Sequence, residues 1–436
     1  MQQPQIDLIP IRGAVRSDDP ITLDVLIRVT PPRPNGEMKR PTVNLGLVID
    51  RSGSMGGGGG SSRLSPRGDS SHHGSMGDSL SKMSCARAAA IFAVEQLLPT
   101  DRVSVTIFDD HVETIVPNTL AENKGRIVEL IQGVHSRGST ALHGGWEEGA
   151  RQVQQHFVPA GLNRVLLLSD GLANVGETNP DTIATHVHRL AQEGVSTTTM
   201  GVGNDYNEDL MEAMARSGDG NYYYIEAPRQ IADIFQSELQ GLMTTFGHTV
   251  SLGIEPQHKV ILADVLNELD RLPTGRLKLP NLVAEMPLHI LVRLNVPPMA
   301  GESELCRFRL AWNAPKQPQR QIMTVSLQLP AVGKDTWELL APVTEVQEQV
   351  VLLLIARHKK QATQCLERQD RDGAACGLQE AMQLLASAPD TPEMRREARA
   401  LAEIEGYLES GACQRFLKHA KYQAHQRWRS EQYRTP

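Results

Sequence analysis

The stretch Asn-Leu-Gly-Leu-Val-Ile-Asp-Arg-Ser-Gly-Ser-Met, residues 44–55, passes from an apolar segment into a polar one. Its first half is a short, nearly continuous apolar run, which is typical of a strand covered on both faces of a parallel sheet. Asp50 follows this strand, and the hydroxyls of Ser52 and Ser54 come at alternate positions. The carboxyl ends of parallel strands are where open α/β sheets bind ligands. Three oxygens there suit a hard cation such as Mg²⁺, although the same string also fits an ordinary polar loop.

Two later segments place further oxygens where strands and helices meet. Thr140 lies in a glycine-containing loop, residues 136–142, just ahead of a predicted helix. Asp170 follows the apolar run 165–168 and precedes Gly171. Each has an ordinary alternative, because a threonine in that position can cap a helix and Asp-Gly is a common turn. All three segments are nevertheless predicted at the carboxyl edge of one sheet, so we expect their side chains to converge.

The order Asp-x-Ser-x-Ser, then Thr, then Asp resembles the metal-ion-dependent adhesion site of the von Willebrand factor A family. The resemblance covers about residues 42–245. The residues that match the pattern are called the five-residue set below: Asp50, Ser52, Ser54, Thr140 and Asp170.

The resemblance implies how the five-residue set would work. The three hydroxyls would contact a divalent ion directly, and the two aspartates would act mainly through bound water. The ion would be Mg²⁺, with Mn²⁺ or Ca²⁺ as alternatives, and its open position would accept an Asp or Glu carboxylate from a partner protein. The expected function is therefore metal-dependent protein binding or scaffolding without catalysis.

The remaining sequence predicts an α/β domain inserted into a β-sandwich. Strands alternate with helices over residues 42–245, which predicts a doubly wound, mostly parallel sheet. Residues 1–41 contain one clearly alternating strand, Ile21–Val29, which has no evident partner there. We expect it to join the β-rich region 246–340. Residues 341–436 are predicted to form an α-helical domain.

Residues 57–77 resemble a flexible Gly/Ser-rich insert in the loop that follows Ser54. They contain Arg67-Gly68-Asp69, the tripeptide known from integrin ligands. The tripeptide is either a coincidence of composition, or an adhesion motif if the protein is exported, or a source of Asp69 as an internal plug for the metal's open position. The adjacent His72-His73 could bind a soft metal or form an exposed polar pair.

Composition excludes several classes of protein. The formal net charge of −7 argues against general binding to nucleic acid. Five cysteines without a Cys-x-x-Cys pair predict neither a disulfide framework nor a zinc site. The chain shows neither a signal peptide pattern nor an apolar run of membrane-spanning length, so a cytoplasmic protein is expected.

Two other functions remain open from the sequence. The chain could be an adaptor of a MoxR-type AAA+ ATPase, by analogy with other intracellular A-domain proteins. A Mg²⁺-dependent phosphoryl-transfer enzyme is weaker, because phosphatases of the haloacid dehalogenase type need an aspartate where this chain has Ser52. No catalytic residues are predicted. Four other polar residues are predicted to lie in turns or on exposed faces: Asp109, Asp110, His111 and His143.

Overall fold

The computed structural model divides the chain into two compact units. One unit is Thr42–Met243, and the other combines Met1–Pro41 with Thr244–Pro436. The segment 57–77, with Arg67, Gly68 and Asp69, lies outside the described residues. The structure describes residues 3–33, 40–56, 81–159, 161–314 and 319–429.

Strands and helices are numbered in chain order. The strands are β1 (Gln5–Pro10), β2 (Val15–Arg16), β3 (Ile21–Thr30), β4 (Val43–Asp50), β5 (Arg102–Phe108), β6 (Val112–Leu120), β7 (Leu162–Ser169), β8 (Val195–Val202), β9 (Asp219–Ile225), β10 (Thr245–Pro256), β11 (Ile261–Val265), β12 (Leu277–Leu279), β13 (Leu282–Val283), β14 (Leu288–Val296), β15 (Glu302–Asn313) and β16 (Gln321–Val332). The helices are α1 (Lys82–Gln96), α2 (Lys124–Gln132), α3 (Leu142–Gln155), α4 (Pro180–Gln192), α5 (Glu208–Ser217), α6 (Gln230–Met243), α7 (Lys334–Leu339), α8 (Thr344–Glu367), α9 (Arg371–Ala386), α10 (Pro392–Glu409) and α11 (Cys413–Trp428).

The unit Thr42–Met243 is a six-stranded sheet in the order β6-β5-β4-β7-β8-β9, with helices packed against it. β4 pairs in parallel with both β5 and β7, and all eight of its residues are buried. This confirms the predicted α/β fold class. The chain first builds outward from β4 to β5 and β6, then returns to place β7 on the other side of β4. That reversal creates a crevice at the carboxyl end of β4, where ligands bind in open α/β sheets.

The edge strand β6 was missing from the sequence-based prediction. It pairs antiparallel with β5, so the sheet is mixed. Residues of β6 are mostly exposed or half-buried, and Pro117 interrupts its middle. Because an edge strand covers little apolar surface, its sequence lacks the continuous apolar run by which the central strands were recognised.

Helix α3 approaches the sheet closely because glycines face it. A Cβ atom on Gly149 would lie 2.2 Å from Cγ2 of Val48 on β4, and one on Gly145 would lie 2.4 Å from the ring of Phe108 on β5. Both distances are far below van der Waals contact. The helix that begins beside Thr140 is therefore held against β4 and β5 at a separation that larger side chains would not permit.

We expect Gly149→Ala to lower the free energy of unfolding of this unit by about 1–3 kcal/mol, because the added methyl group overpacks the interface with Val48. The measurement is chemical denaturation of the full chain, with hydrogen exchange of the β4 amides to report on this unit. Gly241 on α6 is the matched control, since a Cβ there meets nothing within 4 Å. Gly241→Ala should raise stability by about 0.5–1 kcal/mol. Equal effects at both positions would contradict the close packing of α3.

The second unit contains a β-sandwich. One sheet has the order β1-β3-β14-β11, and the other has the order β12-β10-β15-β16-β2 with β13 beside β10. Alternate residues of β3 and β14 share one apolar core with β10, β15 and β16. β3 pairs antiparallel with β14 along its length, from Ile21 opposite Val296 to Val29 opposite Leu288. The chain therefore leaves the sandwich after β3 and returns to it with β10.

The expectation that Ile21–Val29 has no partner within the first forty residues was wrong. β1 pairs antiparallel with β3, from Gln5 opposite Thr30 to Pro10 opposite Val25. β1 lies at the edge of its sheet, and five of its six residues are half-buried. Such a strand shows only weak alternation, so sequence pattern alone did not separate it from a loop.

Helices α8–α11 form the C-terminal part of this unit. Residues of α8 and α11, among them Val346, Leu353 and Trp428, pack with Leu26 and Leu291 from the outward faces of β3 and β14. A separate apolar cluster joins α8–α11 to one another. Both faces of the smaller sheet are thus covered, which explains why β3 is buried at consecutive positions rather than only at alternate ones. None of the helices in the described part of the chain is long and apolar enough to cross a lipid bilayer.

Candidate functional site

Two loops at the carboxyl ends of β4 and β7 bring most of the five-residue set into contact. The Ser52 and Ser54 Oγ atoms are 3.0 Å apart, and the Ser54 hydroxyl donates a hydrogen bond of 2.7 Å to Oδ1 of Asp170. Asp50 accepts a hydrogen bond of 2.7 Å from the backbone N–H of Ser52 and another from the Ser169 hydroxyl. Residues 116 positions apart in sequence therefore meet directly at the crevice beside β4.

Thr140 approaches the same point from the loop before α3. A Cβ atom on Gly171 would lie 2.8 Å from Oγ1 of Thr140 and 3.6 Å from Oδ2 of Asp50, so both oxygens border the space beside this glycine. The alternative role of Thr140 as a helix cap does not apply. The residue that caps α3 is Ala141, which makes no side-chain cap hydrogen bond. Thr140 lies one residue before this cap, so it is not the residue that begins α3.

The site is buried on one side and open on the other. Asp50 and Asp170 have no exposed surface, and Ser52 and Thr140 are nearly as buried, whereas Ser54 is exposed. Burial raises the pKa of Asp50 to about 6, against the lowering effect of its hydrogen bonds from Ser169 and Ser52. A buried carboxyl of this kind is stabilised in its ionised form when a cation lies next to it.

Comparison with known proteins identifies the domain that carries this site. Residues 69–237 match the family model for the von Willebrand factor type A domain. The structure resembles a solved von Willebrand factor type A protein from Catenulispora acidiphila, with a TM-score of 0.66 and 16% identity, over 92% of this chain and 90% of that one. The chain contains a von Willebrand factor type A (VWA) domain. The match includes Thr140 and Asp170. It begins after the Asp-x-Ser-x-Ser segment with Asp50, Ser52 and Ser54, which is called the first motif below.

A second solved structure shares the fold of the whole chain. The ArnB paralog VWA2 from Sulfolobus acidocaldarius gives a TM-score of 0.59 at 15% identity, and the alignment covers 98% of this chain and 99% of that one. At this level of identity the likeness concerns the fold alone. It extends beyond the VWA domain to the other unit of the chain.

Sequence relatives match at low identity. The uncharacterized protein sll0103 of Synechocystis is 24% identical over 363 residues, which are 79% of this chain and 78% of that protein. YfbK of Escherichia coli, also uncharacterized, is 28% identical over 49% of this chain and 34% of its own length. Human inter-alpha-trypsin inhibitor heavy chain H4 is 25% identical over 46% of this chain, and the match spans 20% of that protein. VWA domains commonly mediate protein–protein interaction and often bind a divalent metal ion.

Lys82, at the start of α1, belongs to this candidate site and was missed by sequence reasoning. Its Nζ donates a hydrogen bond of 2.6 Å to Oδ2 of Asp170, and its side chain is 11% exposed. The ammonium group of Lys82 balances the charge of the Asp170 carboxylate, which is fully buried. A lysine at the first position of a helix gives no signal by itself, because only the fold brings α1 to the end of β7.

Asp109 lies in the turn between β5 and β6, as the sequence-based expectation allowed, but its contacts within the site were not predicted. It is buried and accepts hydrogen bonds from Nε of Arg51 at 3.0 Å and from Nε of Arg137 at 2.8 Å. Arg51 lies inside the first motif, and Arg137 precedes Thr140. Asp109 therefore ties together the two loops that carry four of the five residues.

Backbone hydrogen bonds reinforce the same connection. The N–H of Arg137 donates to the carbonyl of Arg51 at 2.6 Å, and the N–H of Gly53 donates to that of Gly138 at 3.1 Å. Gly138 has a φ of +71°, and a Cβ there would lie 2.2 Å from Asp110 Oδ1, so a larger residue would push this loop away from the site. The geometry of the site thus depends on residues outside the five-residue set.

Asp109, Asp110 and His111 also form a group whose ligand atoms lie within 4.8 Å of one another. Ion pairing accounts for the buried member of this group. Burial acts to raise the pKa of Asp109, but the hydrogen bonds from Arg137 and from the His111 N–H, together with the charge of Arg51, lower it overall. Asp109 is therefore already neutralised by two arginines, and the other two residues are exposed.

We expect Asp109→Asn to lower the free energy of unfolding by about 3 kcal/mol, because it leaves the buried guanidinium of Arg51 without its nearest counter-charge. Denaturation of the full chain measures this effect. Asp110→Asn is the matched control: its side chain is 46% exposed and pairs with His111, so stability should change by about 0.5 kcal/mol or less. An Asp109 variant as stable as the control would show that the two loops are held by their backbone alone.

Proposed function

We propose that this chain is a divalent-metal-dependent protein-binding or scaffold protein whose VWA domain captures a carboxylate of a partner protein. One observation carries the proposal. The Ser54 hydroxyl contacts both the Ser52 hydroxyl and the Asp170 carboxylate. The first motif and the loop that begins with Asp170 (the third motif below) therefore share one cluster of oxygens. That cluster lies at the crevice where α/β sheets of this order bind ligands.

The donor set fits Mg²⁺ or Mn²⁺. All members of the five-residue set offer oxygen, the ligand that hard cations prefer, and none offers sulfur or nitrogen. Gly171 leaves open the space between Thr140 and Asp50 that any larger side chain would fill. Ser52, Ser54 and Thr140 would hold the ion, and Asp50 and Asp170 would balance its charge. When bound, the ion supplies a Lewis-acidic position that attracts an anionic ligand.

The surface around Ser54 suits an acidic partner. The Arg137 side chain is 65% exposed next to the loop that carries Ser52 and Ser54, and its guanidinium is accessible to a partner although Asp109, Asp110 and Glu113 act on its charge. Leu172 follows Gly171 and is 56% exposed. A partner that presents an Asp or Glu carboxylate beside an apolar side chain would therefore meet complementary charge and apolar surface here. Charge complementarity of this kind contributes most to the rate and specificity of association.

We expect the full chain to bind one Mg²⁺, or Mn²⁺ as a probe, and Asp50→Asn to weaken binding by at least about tenfold. Isothermal titration with Mn²⁺, with circular dichroism to confirm folding, measures this. Asp205→Asn is the matched control, because Asp205 is an exposed carboxylate in the loop after β8. Equal affinity in all three proteins would exclude the five-residue set as the metal site.

Binding of a partner protein should also depend on the metal ion and on Asp50. A protein recovered by the wild-type chain in Mg²⁺ should be lost in EDTA and with Asp50→Asn, and retained with Asp205→Asn. If the captured protein is an AAA+ ATPase, the adaptor function is the specific form of the proposal. Hydrolysis of a phosphoester that disappears with Asp50→Asn would replace binding with phosphoryl transfer. Partners that bind equally in EDTA would remove the metal from the mechanism.

Lys82 should oppose metal binding. Its ammonium contacts Asp170, so Lys82→Met removes a positive charge next to the ion and should raise Mg²⁺ affinity by at least about tenfold. The matched control is Arg126→Met, which removes a charge that is 65% exposed on α2. Isothermal titration at two salt concentrations measures both. Lower affinity in Lys82→Met would show instead that this lysine supports the metal-binding geometry.

A further inference from the structure

Two imidazoles meet between helices α3 and α4: His143 lies on α3 and His186 lies on α4. Nε2 of His143 lies 3.1 Å from Nδ1 of His186, and their ring centroids are 5.2 Å apart. His143 is buried and His186 is half-buried. The sequence-based expectation that His143 lies in a turn or on an exposed face was therefore wrong. The two nitrogens lie within hydrogen-bonding distance, so one ring donates its N–H to the lone pair of the other.

The separation of these nitrogens matches that of two ligands on one ion. Imidazole nitrogens bind Zn²⁺ at about 2.0–2.1 Å, so two of them lie about 2.9 Å apart at a right angle and about 3.3 Å apart in a tetrahedron. The observed 3.1 Å falls between these limits. A metal ion that replaces the hydrogen bond would lie to one side of the line between the nitrogens, so both rings would turn toward it while the separation of the nitrogens stayed nearly the same.

The surroundings of His143 favour its neutral form. Burial lowers the pKa of His143, His186 lowers it further, and the charges of Glu147 and Glu177 oppose that change. Neutral imidazole is the form that binds metal. Glu147 lies one turn after His143 on α3, and it lines an open groove together with His186 and Arg189. His143 is not part of the lining of this groove, so an ion and its water would reach the pair of imidazoles from the side of His186.

We propose that His143 and His186 form a second metal site, for a transition-metal ion such as Zn²⁺, that links α3 to α4. Water from the groove would complete the coordination. Imidazole suits Zn²⁺, Cu²⁺ and Ni²⁺, whereas Mg²⁺ prefers oxygen, so this site and the five-residue set select different ions. The proposal does not depend on the function proposed above.

Such an ion would act on the loops of the five-residue set through the two helices. α3 begins two residues after Thr140, and α4 begins where the loop from Asp170 ends. Holding α3 to α4 would therefore restrict both loops. Binding to the folded state alone also raises stability, so Zn²⁺ should protect the β7–α4 loop from hydrogen exchange.

The test is a Zn²⁺ titration of the full chain in saturating Mg²⁺. The background carries His72→Ala and His73→Ala, because that adjacent pair could itself bind a soft metal. We expect one Zn²⁺ per chain, and His186→Ala should weaken binding by at least about tenfold. His188→Ala is the matched control, since His188 is exposed on the same helix and contacts Gln192. His111→Ala and Asp50→Asn should also leave Zn²⁺ affinity unchanged.

Electron paramagnetic resonance with Cu²⁺ gives an independent readout of the ligands. Two imidazole nitrogens should couple to the ion in the parent protein, and one should remain after His143→Gln or His186→Ala. If His143→Gln fails to fold, the half-buried His186 still provides the test. Zn²⁺ affinity that survives His186→Ala, or a Cu²⁺ spectrum without imidazole coupling, would overturn the proposal.

Discussion

The parallel pairing of β4 with β5 on one side and β7 on the other is the constraint on which the candidate site depends. The ladders place Asp50 opposite Phe108 and Ile49 opposite Leu168, so the three strands end at nearly the same level. A carboxylate stands at or just beyond the end of each strand: Asp50 on β4, Asp109 after β5 and Asp170 after β7. Without this register, the oxygens of the first and third motifs would not share one crevice.

Buried carboxylates at this edge have partners, but they are satisfied in different ways. Asp109 receives two arginines and a backbone N–H, so it is fully engaged in holding loops. Asp50 and Asp170 receive hydroxyls, one N–H and the ammonium of Lys82. The first arrangement stabilises the loops. The second leaves oxygens around an open space, because hydroxyls can turn and a lysine side chain can move away.

A further buried carboxylate, Glu238, shows the purely structural case. Glu238 on α6 accepts hydrogen bonds from Arg164, Thr198, Asn221 and Tyr223, and all of these residues are buried. These four donors are buried, whereas Asp170 accepts a hydrogen bond from the exposed Ser54. Burial of charge alone therefore does not distinguish a binding site from a structural network; access to solvent does.

The sequence by itself determined the fold class and the members of the five-residue set. Continuous apolar strands and amphipathic helices are local patterns, and they place Asp50 and Asp170 at strand ends and Thr140 in a loop before a helix. Only the tertiary structure decided that β1 and β6 are strands, that Asp109 joins the loops of the site, that Lys82 contacts Asp170, and that His143 meets His186. Edge strands bury too little apolar surface to leave a clear pattern. Ion pairs and imidazole contacts join residues far apart in sequence, so their partners appear only when the helices pack on the sheet.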